Sequence, residues 1–336
     1  MRAPMTYHGG AVMPLDPQVA SLIERMTLAG GTPVDRLTPV VARAESWGWL
    51  DHVGAAQEVA RVEHRFVPGP SADLPARIYY PAGDGPHPAI VFFHGSGWTI
   101  ANLEISDVPH RALANATGAV VVAVNYQKAP EHKFPVPLDD AFATTGWVLA
   151  NAASLGIDPS RVGVGGESAG ANLATAVCLR SRDDGLQVPA FQVLIYPATD
   201  HGESRDYPSR RENAKGYLLS SDTMRWFWQQ YLSTPEEGLH PYVSPVRAQL
   251  AGLPPALVVT AEFDPLRDEG EHYADLMVEA GVTVLKRRYA GMVHGFLWMS
   301  GAVDSVQSVF DEIGRDVRNL LAQDTFSTGE LGETRG

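Results

Sequence analysis

The stretch Arg161-Val162-Gly163-Val164-Gly165-Gly166-Glu167-Ser168-Ala169-Gly170-Ala171-Asn172-Leu173 admits few folds. Its first half is a short apolar strand. Its second half opens a helical run through Leu173 to Leu179, so Ser168 has to stand on an abrupt strand-to-helix turn. A serine in so tight a turn needs neighbours without bulky Cβ groups, and Gly166 and Gly170 meet that need. The turn lifts the hydroxyl clear of the sheet, and the start of the helix leaves N–H groups unpaired beside it. A glycine-x-serine-x-glycine run also recurs by chance. The weight here comes from the strand before it and the helix after it.

The rest of the chain repeats that alternation. Apolar runs at 89–93, 119–126, 191–196, 256–260 and 284–289 alternate with helical patterns at 109–117, 138–153, 266–280 and 304–321. Strands apolar throughout and interleaved with helices predict an α/β fold with a mostly parallel sheet covered on both faces. Two earlier strands, 62–67 and 76–80, flank Pro68-Gly69-Pro70-Ser71 and predict an antiparallel edge pair. Two helical stretches come before any strand, one from Asp16 to Gly30-Gly31 and one from Thr32-Pro33 towards Trp47 and Trp49. They are either a lid or a peripheral packing arm. Between Asp200 and Arg247 the alternation stops for a polar loop and a helix bearing Trp226, Phe227, Trp228 and Tyr231, an excursion that could roof a pocket or simply pack on the core. The expected division is an N-terminal cap segment at 1–55, a catalytic domain at 56–200 and 248–322, a cap insertion at 201–247 and a flexible tail at 323–336.

Charge and cysteine content narrow the function. With 26 Lys plus Arg against 39 Asp plus Glu, the net charge of −13 disfavours nucleic acid and anionic membrane as partners. The single cysteine, Cys178, excludes an internal disulfide and falls inside a helix, where it reads as a small buried hydrophobe. Met1 to Pro17 shows neither a signal-peptide pattern nor a long apolar span, so cytoplasmic residence is the expectation. No spacing of His, Cys or carboxylates suggests a metal, and no cofactor is expected.

A serine hydroxyl becomes a nucleophile only when a base takes its proton and a third group orients that base. Asp264 directly follows the run 256–263, at the carboxyl edge of a parallel sheet where ligands bind. Followed by Pro265, it could equally cap the next helix. Asp268 and Glu269 suit the first turn of that helix and are weaker candidates for the acid. His294 lies just past the strand at 284–289, between Gly291 and Gly295. Ser168, Asp264 and His294 stand in the order that one hydrolase architecture uses. Backbone N–H groups of Ser96, Gly97 and Ala169 would complete an oxyanion hole. Trp98 and Phe296, next to that loop and to the histidine, are candidate substrate contacts.

Together, His94-Gly95-Ser96-Gly97-Trp98, Asn125-Tyr126 with 129–135, the serine turn, Tyr196-Pro197, 264–270 and His294-Gly295-Phe296 resemble the hormone-sensitive-lipase-like carboxylesterases of bacteria. The resemblance spans about 89–298 and implies an α/β-hydrolase fold of about eight strands with a helical cap. It implies Ser168 as nucleophile, His294 as base, Asp264 as its partner and the three-amide hole. It further implies a small-molecule ester as substrate and a homodimer as one assembly. Three departures stand out. Ser96 replaces the middle glycine of the family's H-G-G-G, Glu167 and Ala171 alter the serine turn, and Gln127-Lys128 removes an arginine from the familiar Tyr-Arg-Leu-Ala-Pro run. Rival readings are an amidase or carbamate hydrolase using the same residues, and a binding protein on the same fold. The second is disfavoured because His294 is present.

Overall fold

The computed structural model describes residues 14–202 and 205–327. One sheet has the strand order β1-β2-β4-β3-β5-β6-β7-β8. The strands are β1 (Arg61–Pro68), β2 (Asp73–Tyr80), β3 (His87–Phe93), β4 (Val120–Val124), β5 (Ile157–Glu167), β6 (Gln192–Ile195), β7 (Ala256–Phe263) and β8 (Val284–Val293). β2 runs antiparallel to β1 and β4, and β4-β3-β5-β6-β7-β8 are parallel. The expected edge pair and parallel core are both present.

Burial on both faces explains why the central strands are apolar at every position. Along β3, Ala89, Val91 and Phe93 enter one core layer, and Ile90 and Phe92 the other. The helices α4 (Val136–Asn151), α5 (Ala169–Asp183) and α8 (Arg267–Glu279) close the first layer. The second is closed by α1 (Pro17–Ala29), α3 (Asp107–Thr117) and α9 (Ser305–Ser327). Cys178 is fully buried in α5, where desolvation pushes its thiol pKa up. The last helix runs past its expected end at Leu321 to Ser327. The remainder of the expected tail, and residues 1–13 of the N-terminal segment, lie outside the described residues.

The two N-terminal stretches behave differently. Asp16 caps α1 by accepting from the N–H groups of Gln18 and Val19, and the helix buries Val19 and Leu22 in the second core layer. The second stretch is not one helix but three pieces: a 3₁₀ turn at Val34–Arg36, α2 (Pro39–Glu45) and a second 3₁₀ turn at Ser46–Asp51. Pro39 is the cause, since it keeps Thr38 out of the helical region and Thr38 becomes an N-cap accepting from the Val41 N–H. This segment touches the stretch expected as a cap insertion, which carries α6 (Ser209–Glu212) and α7 (Ser221–Tyr231), where Thr223 Oγ1 donates to Asp35 Oδ1 at 3.4 Å. The aromatic face of α7 is buried at Trp226, Phe227, Trp228 and Tyr231.

Candidate active site

The strand-to-helix turn holds Ser168 at φ 55° and ψ −121°, a left-handed backbone that side chains other than glycine seldom adopt. Close packing keeps it there. A Cβ on Gly170 would stand 1.8 Å from the Phe93 carbonyl oxygen, and one on Gly166 would stand 2.3 Å from the backbone of Gly170. Only glycine lets α5 cross β3 at this distance. The Ser168 N–H donates to the Ile195 carbonyl at 2.8 Å, which fixes the turn to β6.

β7 ends at Phe263, as expected, and β8 runs further than its apolar core predicts, to Val293, so that Asp264 and His294 stand directly at their ends. His294 Nε2 lies 2.9 Å from Ser168 Oγ, and Nδ1 lies 2.7 Å from Asp264 Oδ2. Because a carboxylate only accepts, the Nδ1 position carries the proton and Nε2 faces the serine as an acceptor. Asp264 makes two contacts, one with each carboxylate oxygen. Its Oδ1 accepts the Leu266 N–H at 2.8 Å, capping the turn into α8, while Oδ2 faces the histidine. Asp264 is fully buried and Ser168 is 8 % exposed.

Asp268 and Glu269 lie elsewhere. Asp268 accepts from the Ser209 N–H, and Glu269 accepts from the N–H groups of Thr199 and Asp200 and from Arg210. They tie the cap insertion to α8. Burial pushes the Glu269 carboxyl up to about 7, against the opposing pull of Arg210.

The loop after β3 faces the same end of the sheet. Left-handed backbone falls on Gly97 (φ 53°) and Trp98 (φ 58°), the two residues after Ser96, so the Cβ that Ser96 adds meets no conformational obstacle. Its hydroxyl points to Tyr126 OH at 2.5 Å, and Tyr126 in turn donates to the His94 carbonyl at 2.9 Å. The Gly95 N–H donates to Glu167 Oε1 at 3.2 Å. Among the described residues, the N–H groups of Ser96, Gly97 and Ala169 have no hydrogen-bond acceptor.

Glu167 has a bracing position that the sequence did not reveal. One carboxylate oxygen holds the glycine loop, and the other accepts from Tyr196 OH, whose ring centroid lies 4.6 Å from that of His294. Burial raises the pKa of both Glu167 and Tyr196. The only signal was the position of Tyr196 directly after β6. Trp98 and Phe296, expected at the substrate, are instead fully buried in packing roles. Trp98 stacks on Tyr231 at 4.4 Å and 3°, and Phe296 packs edge-on to Tyr196 at 5.4 Å.

Gln127 stands where the familiar run has its arginine. Gln127 donates through its N–H and side chain to Asp140, which is fully buried, and through its side chain to Ser71. The neighbouring Lys128 donates to Asn125 Oδ1 and the Tyr126 carbonyl. Burial pushes its ammonium pKa down to about 7, with Arg43 adding to the shift and Asp140 opposing it.

This constellation on a strand-to-helix turn defines a serine-hydrolase type of site. A family profile described as alpha/beta hydrolase fold matches residues 90–298. The chain belongs to that family, within its hormone-sensitive-lipase-like carboxylesterase branch. It is 37 % identical over 292 residues to the carboxylic ester hydrolase LipN of Mycobacterium tuberculosis, covering 84 % of this chain and 77 % of that one. It is 38 % identical over 236 residues to an ethyl acetate hydrolase of Pseudomonas putida, covering 69 % and 74 %. Among solved structures, the hyperthermophilic esterase of the archaeon Pyrobaculum calidifontis superposes with a TM-score of 0.87 at 37 % identity, over 92 % of this chain and 99 % of that one. Among the described residues, no helix is long and apolar enough to cross a membrane.

Proposed function

We propose that the chain is a serine carboxylesterase that cleaves short- to medium-chain esters through an acyl-enzyme. The observation that carries this reading is the hydrogen-bonded line from Ser168 Oγ through His294 to Asp264, 2.9 Å and 2.7 Å long, at the strained turn. Ser168 Oγ attacks the ester carbonyl carbon while its proton passes to His294 Nε2. The carbonyl oxygen takes up the negative charge and is met by the N–H groups of Ser96, Gly97 and Ala169. When the tetrahedral intermediate collapses, the carbon–alkoxy bond breaks and His294 returns the proton to the departing alcohol. Water then repeats the sequence on the acyl-enzyme and releases the acid. Asp264 holds the imidazole in the required tautomer throughout.

Support for modest substrate size comes from the aromatic residues of α7, of which Phe227 packs against Gly97 of the oxyanion loop. The similarity to a relative named for ethyl acetate points the same way. A fluorophosphonate probe followed by peptide mapping tests the assignment. The label is expected on Ser168 in the wild type and absent after His294→Ala, and a label on any other residue contradicts the reading. Comparing a p-nitrophenyl ester with the matching anilide separates esterase from amidase action.

A further inference from the structure

The oxyanion loop is held from outside the region that the family profile covers. Arg43, on α2, reaches across to it with its whole guanidinium fork. Its Nε donates to the Thr99 carbonyl at 2.8 Å, and Nη2 donates to the Ala129 carbonyl at 2.7 Å. Nη1 and Nη2 also form a two-pronged pair with Glu131. Thr99 and Ala129 are buried residues, so their carbonyls need a partner within the protein.

Both acceptors lead directly to the oxyanion loop. The Ala129 N–H donates to the Trp98 carbonyl at 2.9 Å. Thr99 Oγ1 donates to the Gly97 carbonyl at 3.0 Å, and the Thr99 N–H donates to the Ser96 carbonyl at 3.0 Å. The guanidinium therefore holds Thr99 directly and the carbonyl of Trp98 through Ala129, beside the non-glycine residue that the loop forces to φ 58°. Thr38 and Pro39 set the start of α2 and so the direction in which Arg43 projects, while Ala42 beside it is buried in the first core layer. The pair with Glu131, whose side chain is 51 % exposed, is a surface contact of small worth; the bonds to the two carbonyls are the ones that constrain the loop.

We infer that Arg43 is a positioning residue for the oxyanion hole: from the N-terminal cap segment it fixes the backbone whose Ser96 and Gly97 amides receive the carbonyl oxygen. The inference rests on the hydrolytic reading above. It predicts that loss of Arg43 acts on the chemical step and leaves substrate binding nearly intact, because amides aimed at a developing charge matter most in the transition state.

The test is the turnover of p-nitrophenyl acetate by wild type, Arg43→Ala, Arg43→Lys and Arg225→Ala, each normalised to the serine titrated to completion by a fluorophosphonate. Arg225 is a control, an exposed cap arginine paired with Asp222. Per titrated serine, kcat is expected to fall about ten- to a hundredfold in Arg43→Ala, with KM within about threefold of wild type. Arg43→Lys, which keeps the charge and loses the planar fork, falls between, and also carries the comparison if the alanine variant does not fold. Arg225→Ala matches wild type. A purely structural arginine would lower the titratable fraction or the melting temperature while leaving kcat per serine within about twofold, and that result overturns the inference. A wild type that neither labels nor turns over would overturn the hydrolytic reading itself, an outcome distinct from a silent Arg43 substitution in an active enzyme.

Discussion

The Ser96 hydroxyl lies 2.5 Å from the Tyr126 hydroxyl, which in turn donates to the His94 carbonyl. The side chain that departs from the family's glycine thus braces the loop through Tyr126, and among the described residues the Ser96 N–H has no acceptor. Ser96→Gly removes one buried hydrogen bond, a loss on the order of 1 kcal/mol, so esterase activity is expected to stay within about tenfold of wild type. Steady-state kinetics on a short ester checks this. A near-total loss would mean that the hydroxyl itself takes part in the reaction.

Gly97 and Phe227 form a steric pair across the loop and the cap. A Cβ on Gly97 would stand 2.1 Å from the Phe227 ring, on a backbone at φ 53°. Gly97→Ala is expected to lower kcat/KM by more than tenfold, roughly the effect of displacing one oxyanion donor. Adding Phe227→Ala relieves the ring contact but not the left-handed strain, which costs about 1 kcal/mol, so the double variant should recover part of the activity. A double variant no better than Gly97→Ala would show that the contact with Phe227 does not limit the loop.

His110 is fully buried between the rings of Tyr79 and Phe92, and among the described residues neither ring nitrogen has a hydrogen-bond partner. Burial pushes its pKa down to about 3, with Arg77 adding to the shift and Asp107 opposing it. As pH falls from about 6.5 towards 3, the unfolded chain takes up a proton at this position that the folded chain refuses, so folding stability drops by up to about 1.4 kcal/mol per pH unit. Above about 6.5 both states are neutral and the group contributes no pH dependence. His110→Leu should therefore gain stability relative to wild type on going from pH 7 to pH 4.5. Chemical denaturation at the two pH values checks this, and an unchanged difference between the proteins contradicts it.

Gly170 is the most stringent structural position of the serine turn. An added methyl would collide with the Phe93 carbonyl at 1.8 Å, in a core where neither backbone can yield. Gly170→Ala is expected to cost more than about 3 kcal/mol or to prevent soluble expression. A variant melting within a few degrees of wild type would contradict the packing described for α5.

The sheet was legible because its central strands are buried on both faces and announce themselves as apolar runs, and Ser168, Asp264 and His294 because each follows such a run. The less legible parts depend on contacts distant in sequence. The partition of the N-terminal segment turned on Pro39 breaking one helical pattern and on α1 packing beside β8, and periodicity does not encode the second. Glu167 could be read only as a departure from the family's serine turn, since its partners Gly95 and Tyr196 follow other strands. Trp98 and Phe296 looked like substrate contacts from their chain neighbours, but their rings turn into the core. Arg43 lies in an unremarkable helix, and its targets are backbone carbonyls that carry no sequence signal.

The central claim is that Ser168 forms the acyl-enzyme. Initial rates on p-nitrophenyl esters from acetate to laurate, for wild type beside Ser168→Ala, test it most directly. Short esters are expected to turn over, with the alanine variant reduced by as much as roughly a millionfold, by analogy with other serine hydrolases. An alanine variant within about tenfold of wild type, or a wild type inert towards every ester in the series, would contradict the account.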